Sequence, residues 1–235
     1  MGSPSAEIGR APVWENGDVA EALLLSLVGY VTFGYYEVVG VLAGMRGWDL
    51  GSWLRTPVDD AIPYLPGFVF TYGLAFVMPL VAAVLMARVA GLAAFRRSFF
   101  AYLGLLALHF SFWLAFPSSA RGIMLPREEV ARGAFPWAVG LFYAVAPPWN
   151  AFPSFHVAGC WFFYRVLARW APGPARWYHA WFWTMFVSTL AIKIHWFLDA
   201  VSGFLVAEAF YRWVQVPLDE RGACAWTWDS TRARV

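Results

Sequence analysis

Charged side chains are scarce in this chain, and lysine occurs only once, at Lys193. Charged residues make up 14% of the 235 residues, whereas hydrophobic residues make up 60%. A water-soluble domain of this size has about a quarter of its residues charged. The scarcity of charge therefore excludes an ordinary soluble domain and predicts an integral membrane protein. The net charge of +2 is also too small to favour a nucleic-acid partner.

Cysteine is nearly absent as well. The two cysteines, Cys160 and Cys224, lie in an apolar run and in the polar C-terminal segment, so we expect no disulfide between them. The first 18 residues are polar, and we expect no cleavable signal peptide there. We predict a polar N-terminal segment over 1–18, one membrane domain over 19–216 and a cytoplasmic tail over 217–235.

Long apolar runs and aromatic residues, including 15 tryptophans, are abundant. A hydrocarbon core of about 30 Å needs about 20 apolar residues for each helical crossing. Six segments meet this requirement: 19–44, 65–90, 98–117, 154–171, 177–195 and 196–216. The fifth and sixth form one apolar stretch, so the chain must turn near His195 and Trp196. We therefore predict an all-α bundle of six transmembrane helices.

Arginines are distributed unevenly between the two ends of these predicted helices. Eleven of them precede the first span, lie in the loops 88–97 and 165–176, or follow the last span from Arg212 onward. Five lie in the opposite loops. Because basic residues are enriched on the cytoplasmic side, both termini are predicted inside and the loop 118–153 outside. The site residues below then lie at the outer face of the cytoplasmic membrane.

Ionisable residues at membrane depth are costly and often functional. His195 and Asp199 are four residues apart, a spacing that puts them on one face of a helix, together with Ser188 and Ser202. A carboxylate that accepts a hydrogen bond from a histidine fixes its tautomer and leaves the other ring nitrogen free. That nitrogen can then act as a base or as a nucleophile, although a purely structural His–Asp pair is equally compatible with the spacing.

A second polar motif begins the fourth span. Pro153 favours a turn and Ser154 is a good N-cap, so residues 155–157 should present free backbone N–H groups at the positive end of a helix dipole. Such a helix end binds anions, phosphate above all. His156 lies in this first turn and could reach the same anion; an ordinary capped helix with an interfacial histidine is the simpler interpretation of this motif alone.

Together, the two motifs resemble a known family. Asn150-Ala-Phe-Pro-Ser-Phe-His156 is similar to the second signature of the type 2 phosphatidic acid phosphatase superfamily, and Ser188–Gly203 is similar to its third. The residues of both motifs are more similar to those of the inositol phosphorylceramide synthase branch of this superfamily. The resemblance covers residues 150–203, and the 39 residues between His156 and His195 suit one helix in and one helix out.

The resemblance implies a role for each matching residue. His195 would attack phosphorus and form a phosphohistidine, and Asp199 would orient its ring. His156 would protonate the leaving oxygen and then deprotonate the acceptor. Ser154 would bind phosphate oxygens, and Gly203 would let the sixth helix pack closely against a neighbour. The implied chemistry needs no metal and no cofactor.

The chain departs from the family in its cations. The first signature, a lysine followed by Arg-Pro, is missing, and Thr189 stands where the third signature has arginine. We expect Arg121, just past the third span, to bind the phosphate, although a headgroup-binding arginine would look the same. Lys193 is a second candidate, but a regular helix would point it about 200° away from His195, so it would need a local unwinding.

The sequence therefore predicts a membrane enzyme that transfers a phosphoryl group on a lipid phosphate ester. The resemblance favours transfer of a phospho-headgroup to or from a lipid alcohol or a polyol such as inositol; water as acceptor would make it a lipid phosphatase. Two hypotheses from other functional classes remain open: a haem protein with two histidine ligands and a non-enzymatic transporter. The run 127–132 is predicted to be a short solvated helix over the site.

Overall fold

The computed structural model describes residues 16–145 and 149–221, and these residues are mainly helical. Their order along the chain is α1 (Asn16–Gly34), α2 (Tyr36–Gly44), α3 (Pro57–Ala61), α4 (Val69–Gly73), α5 (Met78–Ala115), α6 (Arg127–Arg132), α7 (Pro136–Val145), α8 (Phe155–Trp170), α9 (Pro172–Ala191) and α10 (Phe197–Phe210). Short 3₁₀ turns lie at Gly51–Leu54, Pro66–Phe68 and Leu74–Phe76. A π-helical turn, Tyr211–Gln215, follows α10, and the helix then continues over 216–221.

Helix α5 reverses direction at Gly91. This residue has φ 79° and ψ 167°, a backbone conformation that glycine adopts at little cost. Segments 79–86 and 95–102 line one common cavity, so the two halves of α5 lie side by side. The sequence predicted a loop over 88–97; instead both helices run to within a residue of the glycine. Folding back at one residue avoids a rod of about 57 Å, nearly twice the hydrocarbon core.

Two described segments are long and apolar enough to cross a membrane, Ala20–Gly44 and Pro66–Ala115. Most of their exposed large side chains are aliphatic or aromatic. The exposed set includes Leu23, Leu27, Val31, Val77, Val81 and Val84. Because soluble monomers rarely expose a continuous apolar surface of this kind, these helices favour association with a membrane.

Helix α8 lies at the centre of the bundle and packs against α5, α9 and α10. Its side chains from Val157 to Phe162 are buried, which follows from a sequence rich in apolar residues on every face of these turns. The N-terminal turn of α8 faces the turn between α9 and α10. The two motifs read from the sequence therefore meet at one end of the core.

Several boundaries differ from those expected. The predicted outer loop 118–153 contains α7, a ten-residue helix, while α6 has the bounds predicted for the short helix at 127–132. Residues 16–18 already belong to α1, and 217–221 are helical rather than part of a polar tail. The rest of both terminal segments, with Cys224, lies outside the described residues.

Candidate active site

Ser154 caps α8 as the sequence predicted. Its Oγ accepts a hydrogen bond from the backbone N–H of Val157 at 3.4 Å, and its own backbone is extended. The preceding Phe152–Pro153 peptide bond is cis. The carbonyl oxygen of Pro153 accepts a hydrogen bond from the indole of Trp113 at 3.1 Å, which fixes the entry of the chain into α8. The first-turn amides of this helix thus have the orientation that favours an anion.

His195 and Asp199 also meet, although not on one helix. Helix α9 ends at Ala191 and α10 begins at Phe197, so His195 lies in the turn between them. Its Nδ1 is 3.0 Å from Asp199 Oδ1, an ion-pair distance at which the N–H is not well aligned for a hydrogen bond. Asp199 Oδ2 accepts a hydrogen bond from the backbone N–H of Trp196 at 2.9 Å. The carboxylate therefore both faces the imidazole and caps α10.

The helical face predicted for Ser188 and Ser202 is wrong, because the helix is interrupted over 192–196. Ser188 belongs to α9, where its hydroxyl donates to the carbonyl of Met185. Ser202 donates to the carbonyl of Asp199. Both hydroxyls are thus engaged within their own helices and take no part in the contacts of His195.

The two histidines contact each other directly. His195 Nε2 lies 3.4 Å from His156 Nδ1 and 3.4 Å from Ser154 Oγ. The other nitrogen of His156, Nε2, lies 3.1 Å from the hydroxyl of Tyr72. Each imidazole therefore has one nitrogen facing an oxygen, of Asp199 or Tyr72, and the other nitrogen facing its partner ring. In this arrangement Nε2 of His195 and Nδ1 of His156 are the atoms available for chemistry.

A main-chain contact joins the two motifs. The N–H of Ser154 donates to the carbonyl of Asp199 at 3.1 Å. Gly203, one turn along α10, lets the helix come this close, because a Cβ at this position would lie 2.2 Å from the carbonyl oxygen of Ser154. The close packing that the sequence predicted for Gly203 is confirmed, and its partner is the cap of α8.

Lys193 does not lie where the phosphate-binding prediction needs it. The turn is unwound, with Lys193 at φ 57°, but the ammonium donates to the carbonyls of Asp59 and Ile62 at 2.7 and 2.5 Å. Asp59 is buried; its Oδ1 accepts from the N–H of Phe197 at 2.7 Å, and its Oδ2 accepts from Thr56. Lys193 and Asp59 thus fasten the segment 56–62 onto the turn that carries His195.

Arg121 lies on an exposed loop beside the site rather than in it. Its guanidinium carbon is 5.1 Å from the ring centroid of Trp149, the distance of a cation–π contact. Two residues earlier, the carbonyl of Ser119 accepts a hydrogen bond from the indole of Trp196 at 2.9 Å. Arg121 is therefore near the turn that carries His195, and a change of its side-chain rotamer would be needed to bring it onto a bound phosphate.

Sequence reasoning missed three residues of this site: Tyr72, Asp59 and Trp113. Each comes from a segment 40 to 138 positions away in the chain from its partner. No spacing rule links such positions. The only sequence signal was the adjacent acidic pair Asp59 and Asp60 in the polar stretch before the second apolar run.

Two cavities meet at His156. The smaller has a volume of about 20 Å³ and is bordered by His156, His195, Asn150 and Tyr36 among others. A space of this size holds about one water molecule. The larger has a volume of about 90 Å³ and runs between α1, α5 and α8. His156, Phe33 and Phe155 line both cavities.

Comparison with protein-family models, with curated proteins and with solved structures found no match for this chain. The resemblance to the phosphatase superfamily thus rests on residues 150–203. What this site does has to be argued from its own geometry.

Proposed function

We propose that this protein is a six-helix membrane enzyme that transfers a phosphoryl group on a lipid phosphate ester through a phosphohistidine. The six crossings would be formed by α1 with α2, by 66–90, by 92–115, and by α8, α9 and α10 with its continuation. Both termini would be cytoplasmic, and the histidine pair would lie at the outer face. The observation that carries the proposal is the pair of opposed imidazoles, each backed by a buried oxygen, at the N-terminus of α8.

In the first half-reaction, Nε2 of His195 attacks phosphorus while the ester P–O bond breaks. The proton on Nδ1 of His156 goes to the departing oxygen, so the lipid alcohol leaves neutral. Asp199 stabilises the positive charge that develops on the ring of His195. Because attacking and leaving atoms lie on opposite sides of phosphorus, the two rings must separate from their 3.4 Å contact when the substrate binds.

In the second half-reaction, the hydroxyl of an acceptor attacks the phosphohistidine and the N–P bond breaks. Nδ1 of His156 now accepts the acceptor's proton, which restores both rings. One group thus serves first as acid and then as base. For this second role Nε2 of His156 must keep its hydrogen, and the oxygen of Tyr72 is placed to accept it.

The negative charge on the transferred phosphoryl group needs positive partners. The backbone N–H groups at the start of α8 and the hydroxyl of Ser154 supply fixed dipoles next to Nε2 of His195. Arg121 would add a full charge at the edge of the site. These groups would take the place of the lysine and arginine in the signatures of the phosphatase superfamily.

The acceptor decides whether the enzyme is a transferase or a hydrolase. The similarity of the two motifs to those of the synthase branch favours transfer to an alcohol, such as a polyol or a lipid alcohol. The water-sized cavity beside the histidine pair favours hydrolysis as the second candidate. A panel of lipid phosphates, assayed with and without polyols for free phosphate and for new lipid products, separates the two.

We expect His195→Ala to abolish turnover and His156→Ala to lower it by about 10²- to 10⁴-fold, as loss of an acid–base group does. The matched control is His179→Ala, since this histidine on α9 contacts only Trp183 and neighbouring aromatic rings. Substrate binding that persists with no turnover in the parent protein would point to a transporter instead.

The intermediate and the absence of a metal requirement are tested separately. Brief mixing with ³²P-labelled substrate should give an acid-labile protein label, absent from His195→Ala. EDTA should leave the rate unchanged; strong inhibition that a divalent cation reverses would refute the mechanism. A Soret band in the purified protein would favour the haem reading, which requires a macrocycle between two imidazoles that here touch each other.

A further inference from the structure

The larger cavity is long and parallel to the helices. Four helical segments form its walls, and the first and last lining residues of each segment are seven positions apart. They are 26–33 on α1, 79–86 and 95–102 on the two halves of α5, and 156–163 on α8. Seven residues of helix are about 10 Å long. The cavity, with a volume of about 90 Å³, therefore extends about 10 Å along the helices.

The cavity wall is mostly apolar, and the hydroxyls of the two serines that line it, Ser26 and Ser98, are already hydrogen-bonded to other residues. Glycine, alanine, methionine and phenylalanine side chains form most of the wall. His156 lies at one end, where the cavity meets the smaller one that reaches His195. From there the cavity follows α8 past Gly159 to Phe163. A molecule that filled both cavities would have a polar end at the histidines and a slender apolar remainder.

The side of the cavity opens onto the apolar outer surface of the helices. Tyr30 on α1 and Leu80 on α5 border it and are 40% and 37% exposed. The hydroxyl of Tyr30 donates to the carbonyl of Phe76, which links α1 to the turn that precedes α5 next to this opening. Leu27 and Val84 flank it and are exposed as well. A bilayer lipid therefore has a lateral route into the cavity that avoids water.

We infer that this cavity, lined by α1, α5 and α8, binds one hydrocarbon chain of the substrate lipid and holds its phosphate end against His156. The inference rests on the proposed function for the identity of the polar end. A channel walled by parallel helices suits a linear chain, and its length of about 10 Å is about two thirds of one leaflet, which is half of a hydrocarbon core of about 30 Å. The remainder of the lipid lies between α1 and α5 at the outer surface.

Chain-length selectivity tests the cavity. Ala83 lines it and is 8% exposed, so Ala83→Leu fills the bore with three additional carbons. With dodecyl phosphate we expect kcat/KM to fall by about tenfold or more, the scale on which pockets discriminate methylene groups. With butyl phosphate, which is too short to reach Ala83, the value should stay within about twofold. The control is Val84→Leu, one residue along and 40% exposed, which should change neither. Equal losses on both substrates would overturn the inference.

Binding is measured separately from turnover with a photoreactive alkyl phosphate that carries a diazirine in mid-chain. In the His195→Ala protein we expect adducts within 26–33, 79–86, 95–102 and 156–163, and competition by dodecyl phosphate but not by dodecanol. Competed adducts without turnover in the parent would leave the chain site standing and refute the proposed function. Adducts spread over exposed residues outside these segments, such as Leu23 and Val38, or competed equally by dodecanol, would refute the chain site.

Discussion

The hydroxyl of Tyr72 is buried 3.1 Å from Nε2 of His156 and leaves Nδ1 facing His195. When the phenol oxygen accepts a hydrogen bond, the proton of a neutral His156 is on Nε2. Asp199 Oδ1 likewise lies 3.0 Å from Nδ1 of His195. The two rings consequently turn unlike nitrogens toward each other, one suited to attack phosphorus and the other to carry a proton.

Tyr72→Phe removes this acceptor and keeps the ring. We expect kcat to fall about tenfold or more while KM and the melting temperature stay close to those of the parent, because the phenol acts on the tautomer of His156 rather than on lipid. The control is Tyr64→Phe, whose hydroxyl has no hydrogen-bond partner among the described residues. A raised KM with unchanged kcat would show that Tyr72 binds substrate instead.

The ammonium of Lys193 has partners that the sequence did not predict. As the only lysine, two residues before His195, it was a second candidate to bind phosphate if the turn unwound. The turn is unwound, yet the ammonium binds two carbonyls of the segment 56–62. Lys193→Met should therefore lower the melting temperature and leave the KM for phosphate esters unchanged. Kinetic and thermal measurements on the same preparation distinguish the roles: a raised KM at unchanged stability would restore the phosphate-binding prediction.

Local chemistry was predictable from sequence where neighbours in the chain make the contact. The cap by Ser154, the proximity of His195 and Asp199, and the turn near Trp196 all follow from spacings of four residues or fewer. Contacts across the bundle were not, because Tyr72 and His156 are 84 residues apart and Asp59 and Phe197 are 138 apart. The direction of Lys193 could not be read either, since it depends on a positive φ that no neighbouring residue predicts.

At the scale of helices, the approach of α10 to the cap of α8 decides the geometry of the site. Gly203 permits it, and the alternation of long apolar runs with a glycine or a polar turn accounts for most of the other boundaries. Helix α7 was not predicted because its ten apolar residues are half the length of a membrane span. A search for spans of about 20 residues therefore assigned them to a loop. The sequence predicted a loop over the ten residues 88–97, and the structure places the reversal within that range, at Gly91.

Gly203→Ala places a methyl group 2.2 Å from the carbonyl oxygen of Ser154, so α10 must move away from α8. We expect a loss of about 1–3 kcal/mol in the free energy of unfolding, as overpacking costs, and a larger loss of activity. Gly140→Ala, in α7 with nothing within 4 Å of the added carbon, is the control and should raise the free energy of unfolding by up to about 1 kcal/mol, because alanine is the better helix former. Chemical denaturation in detergent measures the first effect. Full activity in the Gly203 variant would separate this contact from catalysis.

At the scale of the whole molecule, the arginine distribution predicts which end of the bundle faces the cytoplasm. Helices α1 and α5 bring an apolar belt to the surface, and the histidine pair lies at the end of the bundle that has few basic loops. Substrate would therefore come from the outer leaflet, and the product that contains the phosphoryl group would be released on the same side.

Gly67 and Gly173 test this orientation as a matched pair. Both are exposed, have nothing within 4 Å of an added carbon, and lie at opposite ends of the predicted spans. In a Cys224→Ser background, where Cys160 is buried, we expect a membrane-impermeant maleimide to label Gly67→Cys in intact cells. Gly173→Cys should react only after the membrane is permeabilised. The reverse pattern would invert the topology and place the site in the cytoplasm.

The hydrogen bond from Ser154 N–H to the carbonyl of Asp199 involves only main-chain atoms. It holds the backbones of the two motifs at a fixed distance. Cavity residues other than His156, His195 and Tyr72 can then drift in evolution or be redesigned for a new acceptor or a different lipid, while the groups proposed to react keep their place. Specificity and chemistry are in this sense separately adjustable parts of the molecule.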